Sequence, residues 1–273
     1  MALRPIKFDI CHLRKRLMQT ILIILPFLFL LAFPVQAQMD SYGLPPGAQM
    51  IEMQPLKSTQ HPHRALLLWM AKPVKVPRDT PDDPYTCPEF TRGHYYQGPT
   101  RVSLVDTQSQ KILNTIKILR TYAEGEDPDT FDIPYLIMNG FYYDVPGAPK
   151  EKEGKPAVMH LKDYNGDGKA WEFALFDALA CMGLQTTLIG YSEAKDQVIQ
   201  YPVELTTVKG KQSSARSTLW VDYLFSKKPE KPGFWKYTVD YTGRAGPLAK
   251  YEIRYLPAAE KFTGRLVLTG GDS

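Results

Sequence analysis

The chain is poor in the residues that carry most enzyme chemistry. Its 273 residues include three cysteines and five histidines. None of the histidines stands in a His-Glu-x-x-His pattern, and no Gly-x-Ser-x-Gly elbow, P-loop or dinucleotide glycine fingerprint occurs. These absences argue against the common zinc-protease, α/β-hydrolase, phosphate-loop and dinucleotide classes.

Long apolar runs are scarce too. The one from Ile21 to Phe33 contains Pro26 and is shorter than the roughly 20 residues of a membrane-spanning helix. It follows a basic stretch (Arg4, Lys7, Arg14, Lys15, Arg16) and precedes Val35-Gln36-Ala37. Residues 1–37 therefore read as a secretory signal peptide cleaved before Gln38, and the expectation is a secreted or periplasmic protein without a membrane anchor after cleavage. Net charge vanishes with the leader, which holds five Lys/Arg and one Asp out of 33 and 29 and so leaves 28 of each sign. A neutral mature chain gives no basis for nucleic acid or an anionic membrane as partner.

Two cysteines remain after cleavage, Cys87 and Cys181. In an exported chain an even pair invites a disulfide, which would stabilise by about 4 kcal/mol on the chain-entropy model. Two separate buried thiols are the alternative, since Cys181 follows the apolar Ala178-Leu179-Ala180.

What is abundant is proline (23) and tyrosine (16), with few long helical patterns. That composition favours a mostly β protein of antiparallel sheets. Residues 38–63 are rich in Gln, Met and Pro and read as a flexible N-terminal arm; a single β-rich domain is expected over 64–273. Two β-branched runs around a polar turn, Arg101–Asp106 and Lys111–Ile118, predict a β-hairpin, and Thr187–Tyr191 with Gln197–Tyr201 repeats the shape about 85 residues on. Tyr237, Val239 and Tyr241 alternate with polar residues, as do Tyr251, Ile253 and Tyr255, so each run predicts a strand with one wet face, and Arg265–Leu268 a final strand. Residues 206–217 and 226–233 read as exposed loops, with a short helix or strand at 219–225 between them. The 101–118 hairpin resembles the outer hairpin of a β-propeller blade. That resemblance implies a small or partial β-propeller, with a β-sandwich as the alternative.

The richest stretch runs from Asp163 to Glu172, Asp-Tyr-Asn-Gly-Asp-Gly-Lys-Ala-Trp-Glu. Asp163, Asn165 and Asp167 place side-chain oxygens at every second residue, Gly168 permits a sharp turn, and the Lys169 carbonyl follows. This spacing wraps a calcium ion in loops of the EF-hand kind. The standard Glu at position twelve is replaced by Ala174, which leaves Glu172 at position ten as the nearby acid, and Pro156 argues against an incoming helix. The segment instead resembles the Asp-x-Asn-x-Asp-Gly calcium loop of FG-GAP/VCBS-type extracellular repeats, in which the loop leads into a strand. The resemblance covers residues 163–177 and implies a structural Ca²⁺ held by Asp163, Asn165, Asp167, Lys169 and Glu172. In a strand starting at Trp171, Trp171, Phe173 and Leu175 share one face and Glu172 lies on the other. A bare Asx/Gly turn without metal is the competing reading, because Asn-Gly and Asp-Gly are strong turn dipeptides.

Other groups read as structure first. His61-Pro62-His63 with Met50 and Met53 offers a transition-metal set, set in a polar tail. Glu124, Glu126, Asp127, Asp129 and Asp132 offer a carboxylate pair for glycan cleavage, set in one acidic turn. Tyr95-Tyr96 and Tyr142-Tyr143 offer sugar-stacking faces, though tyrosines in strands are more often core. The expectation is an exported, calcium-stabilised binding module for a protein or glycan ligand. A secreted glycan- or cell-wall-directed hydrolase is the alternative.

Overall fold

The computed structural model describes residues 42–77, 94–118, 130–134, 158–179 and 183–271. Strands account for all the regular structure there apart from three short 3₁₀ turns. The first six are β1 (Ala48–Pro55), β2 (Arg64–Ala71), β3 (Val74–Pro77), β4 (His94–Asp106), β5 (Lys111–Lys117) and β6 (Thr130–Pro134). They form one antiparallel sheet around the long β4, which pairs with β2 and β5 along one half and with β3 and β6 along the other. Downstream come β7 (Glu172–Leu179), β8 (Gly183–Ser192), β9 (Gln197–Gln200), β10 (Val203–Lys209), β11 (Gln212–Thr218), β12 (Val221–Asp222), β13 (Phe234–Asp240), β14 (Leu248–Leu256) and β15 (Lys261–Thr269). The second sheet has the order β12-β8-β7, with β9 beside β8, and the third the order β11-β10-β15-β14-β13.

The mostly β, antiparallel class expected from composition is what forms. One pair is parallel, β10 with β15. The two hairpins expected from the sequence form at β4–β5 and at β8–β9. The third sheet, with its parallel pair, does not have the strand order of an antiparallel meander. Face-to-face packing supplies the core. Leu66, Leu68, Val102 and Leu104 from the first sheet meet Trp171, Phe173, Leu175 and Ile189 from the second. The opposite face of the second sheet, through Ala174, Leu188 and Val221, meets Val203, Trp235, Tyr251, Ile253 and Phe262 of the third. The second sheet is thus the filling of a three-layer stack and is buried on both sides. Its strand β8 accordingly reads as a near-continuous buried run rather than an alternation.

Two expectations are corrected. The segment expected as an N-terminal arm supplies β1, which pairs antiparallel with β2. Its half-buried Met50 and Met53 pack against the cluster of Tyr42, Leu67 and Trp69 on the outer face of the first sheet. Residues 206–217 form most of the β10–β11 hairpin, turned by Gly210 at φ +58°. β11 escapes pattern reading because its first six residues are exposed on both faces and it has no apolar alternation to see. Residues 219–225 hold both elements that were open, the short β12 and the start of a 3₁₀ turn at Leu224–Ser226. Elsewhere the pattern serves well. β13 and β14 pair with Tyr237 opposite Tyr251, their rings stacked at 4.7 Å, and Lys236, Lys250, Glu252 and Arg254 face solvent. The Asp240 carboxylate accepts from the Thr242 amide and hydroxyl.

Candidate metal-binding loop

The loop is closed at its base by backbone. Lys162 and Glu172 exchange amide hydrogen bonds of 2.8 and 3.2 Å, so residues 163–171 project from the start of β7. The chain then continues as a strand, not a helix, so the EF-hand arrangement is excluded. Gly166 and Gly168 sit at φ +83° and +85°, where side chains are strained, and they let the loop bend sharply.

Inside the loop Asp163, Asn165 and Asp167 fold back on backbone. Asp163 accepts from Gly166 N–H at 2.7 Å through one oxygen and from Gly168 N–H at 2.9 Å through the other. Asn165 Oδ1 accepts from Asp167 N–H, and Asp167 Oδ1 from Lys169 N–H, each at 2.8 Å. Glu172 lies beneath. Its Oε2 accepts from Tyr164 N–H at 3.0 Å and its Oε1 from the Asn165 amide at 3.1 Å. Glu172 is fully buried, and its side chain occupies the space left by its cross-strand partner Gly190, where an added Cβ would lie 2.7 Å from Glu172 Cγ. Trp171, Phe173 and Leu175 enter the core on the other face, as the strand period requires.

Two further contacts fix the loop from outside. Its Asn165–Gly166 backbone rests on Pro232 and Gly233, and a Cβ on Gly233 would meet the Asn165 carbonyl at 2.5 Å. Lys169 turns away from the acids: its ammonium bonds Glu193 at 2.6 Å and lies 4.4 Å over the Trp171 ring. Glu193 also accepts from Ser58.

Charge is what this geometry leaves open. Asp163, Asp167 and Glu172 have no Lys or Arg ion-pair partner among the described residues. Burial pushes the Glu172 carboxyl up to about 8, and the charges of Asp167 and Asp163 add to the rise against the lowering by its two hydrogen bonds. A carboxyl with that titration range has the protonation an acid catalyst needs, but no substrate reaches a side chain that is sealed and doubly hydrogen-bonded. Among the described residues, no three His, Cys, Asp or Glu side chains gather as a metal-holding group. The donor set here is mixed, however, with Asn165 and a main-chain carbonyl alongside the acids. Each carboxylate oxygen that accepts one amide hydrogen keeps a second lone pair.

The other sequence candidates are scattered or lie elsewhere. His61 is half-buried and His63 exposed on the turn before β2, and Met50 and Met53 face a different cluster. Cys87, Cys181, Glu124, Glu126, Asp127, Asp129 and Tyr142-Tyr143 lie outside the described residues, and Tyr95, Tyr96 and Asp132 are placed on β4 and β6 by backbone alone. No helix among the described residues is long and apolar enough to cross a membrane. Pattern reading missed Gly190, Glu193 and Gly233. For Gly190 a signal existed, because a lone glycine inside an apolar strand run marks a close approach of another group. The chain matches no family model, no curated protein and no solved structure.

Proposed function

We propose that the protein is an exported binding module whose 163–172 loop holds a structural Ca²⁺ at the entrance of β7. The observation that carries the metal is unmatched charge: Asp163 and Asp167 lie on one short loop without an ion-pair partner among the described residues, Glu172 is buried beneath them, and the loop's own lysine, Lys169, pairs elsewhere. Asp163, Asn165, Asp167 and Glu172 side chains with the Lys169 carbonyl supply hard oxygen ligands of the kind calcium takes. The resemblance to FG-GAP/VCBS loops supports the same ion, and the leader-like residues 1–37 support a compartment where calcium is plentiful. Binding is preferred to catalysis because the described carboxyl with the best-placed titration range is inaccessible.

Calorimetric titration of the mature chain with CaCl₂ tests the ion. The expected dissociation constant is about 10⁻⁴ to 10⁻³ M, as for extracellular modules. Asp163→Ala with Asp167→Ala is expected to abolish the heat, and MgCl₂ to reproduce little of it. A wild-type chain that takes up no calcium would sink the metal assignment.

A further inference from the structure

We infer that β11 is a docking edge that accepts an extended acidic segment of a partner protein as an added strand. β11 is the outermost strand of the third sheet and pairs with β10 over all seven residues, Gln212 to Thr218, in unbroken register. Gln212 to Ser217 are exposed on both faces. No hydrogen bond beyond the β10 ladder engages residues 212–217 among the described residues.

Its openness stands out against the other described edges, because proteins ordinarily blunt an edge with brevity, a bulge, a strap or charge. β3, β6, β9 and β12 are short, two to five residues each. The β1 pairing slips at Met50/Glu52 and the β5 pairing at Leu104/Val105. β7 is strapped at its start by Lys162. β13 exposes Lys236 and Asp240, and its Phe234 carbonyl accepts from Glu230 N–H. β11 has no proline, no bulge and one charge.

The turn fixes which groups point outward. Lys209 and Gln212 flank the two-residue Gly210-Lys211 turn, so they form a mutually hydrogen-bonded pair, and such pairs recur at every second residue. Gln212, Ser214, Arg216 and Thr218 therefore bond β10, while the amides and carbonyls of Ser213, Ala215 and Ser217 face away from it. Main-chain bonding of this kind gives affinity in strand addition, and neighbouring side chains give selectivity. Here those side chains are basic. Lys209, Lys211 and Arg216 belong to the hairpin, and its one acid, Glu204, is bonded to Lys261 at 2.7 Å. An acidic strand is the complement, whereas a second copy would bring like charge to the same edge.

The inference rests on reading the chain as a binding module and is independent of the metal. Its probe is a short synthetic peptide that alternates Thr and Val with Asp and Glu, with a twin carrying Lys at every acid. Amide exchange is read residue by residue with calcium present. The acidic peptide is expected to slow exchange at Ser213, Ala215 and Ser217 by about fivefold or more, the worth of a hydrogen bond of about 1 kcal/mol. Ser214 and Arg216, already bonded to β10, should hold their protection. Ala215→Pro removes an outward donor without removing a ladder bond and should weaken the acidic peptide by about tenfold while Ser214 stays protected. Unmoved amides, an equal response to the Lys twin, or slowing that follows protein concentration without peptide would each overturn the inference. Failure here with the calcium heat intact would leave the metal assignment standing.

Discussion

Two clusters fasten turns in this fold, and they balance charge in opposite ways. At the first, Arg64 at the start of β2 bonds Asp106 beside the β4–β5 turn and grips Asp196 in the β8–β9 turn with two bonds, of 2.7 and 2.9 Å. Tyr191 adds its hydroxyl to Asp196. One guanidinium closes two carboxylates, and the first and second sheets are joined at their hairpin tips. At the second, the 163–172 loop, no described cation answers the acids. A half-buried arginine that carries its own counter-charges needs nothing from solution. A loop of acids held by amides alone leaves its charge unmatched, and the calcium proposed above would answer it.

The sharpest break in that comparison comes from filling the space above Glu172. Gly190→Ala would set a Cβ 2.7 Å from Glu172 Cγ and 2.9 Å from the Trp171 carbonyl, and should cost about 3 kcal/mol of stability by denaturant melt, the upper range for overpacking. Arg64→Ala comes next, at about 2 kcal/mol, because it strands two carboxylates that are 18 % and 32 % exposed. Its cost should be the same with calcium or chelator, whereas the cost of Asp163→Ala should depend on calcium.

The pH dependence separates the clusters in sign. Glu172 keeps its proton in the folded chain up to about pH 8 but releases it near 4.5 when unfolded. Its contribution is full below that lower value and is lost as pH rises to about 8. Asp196 is shifted the other way, below 3.8, by the hydrogen bonds from Arg64 first, with Tyr191 assisting. Its contribution is full above the unfolded value and is lost as pH falls through the folded one. Melts across pH should therefore lose the alkaline decline in Glu172→Gln and soften the acid decline in Arg64→Ala. The smallest effect belongs to Lys169→Ala, at under about 0.5 kcal/mol, because the lysine side chain is 42 % exposed in its pair with Glu193.

The sequence carried the parts of this fold that bury one face. Tyr237, Val239, Tyr251 and Ile253 alternate visibly because β13 and β14 pack on one side and are wet on the other. β11 was invisible because it packs on neither side, and β1 because its Met and Gln residues are all only half-buried. The loop was legible as a turn from Asn-Gly and Asp-Gly, and its exit as a strand from Trp171 to Leu175. The supports were not: Gly190 and Gly233 lie 18 and 61 residues beyond Glu172 in the chain, and only tertiary packing brings them to it. The Arg64 clamp was hidden for the same reason, with partners 42 and 132 residues away.

The direct measure of the charge argument is the thermal midpoint of the mature chain in calcium and in chelator. At ten times the dissociation constant, bound calcium should add roughly 1.4 kcal/mol and raise the midpoint by about 3 to 5 °C. Asp163→Ala with Asp167→Ala should erase that difference, and Arg64→Ala should preserve it at a lower midpoint. Equal midpoints in calcium and chelator for the unaltered chain would contradict the account and return the loop to a plain turn held by its own amides.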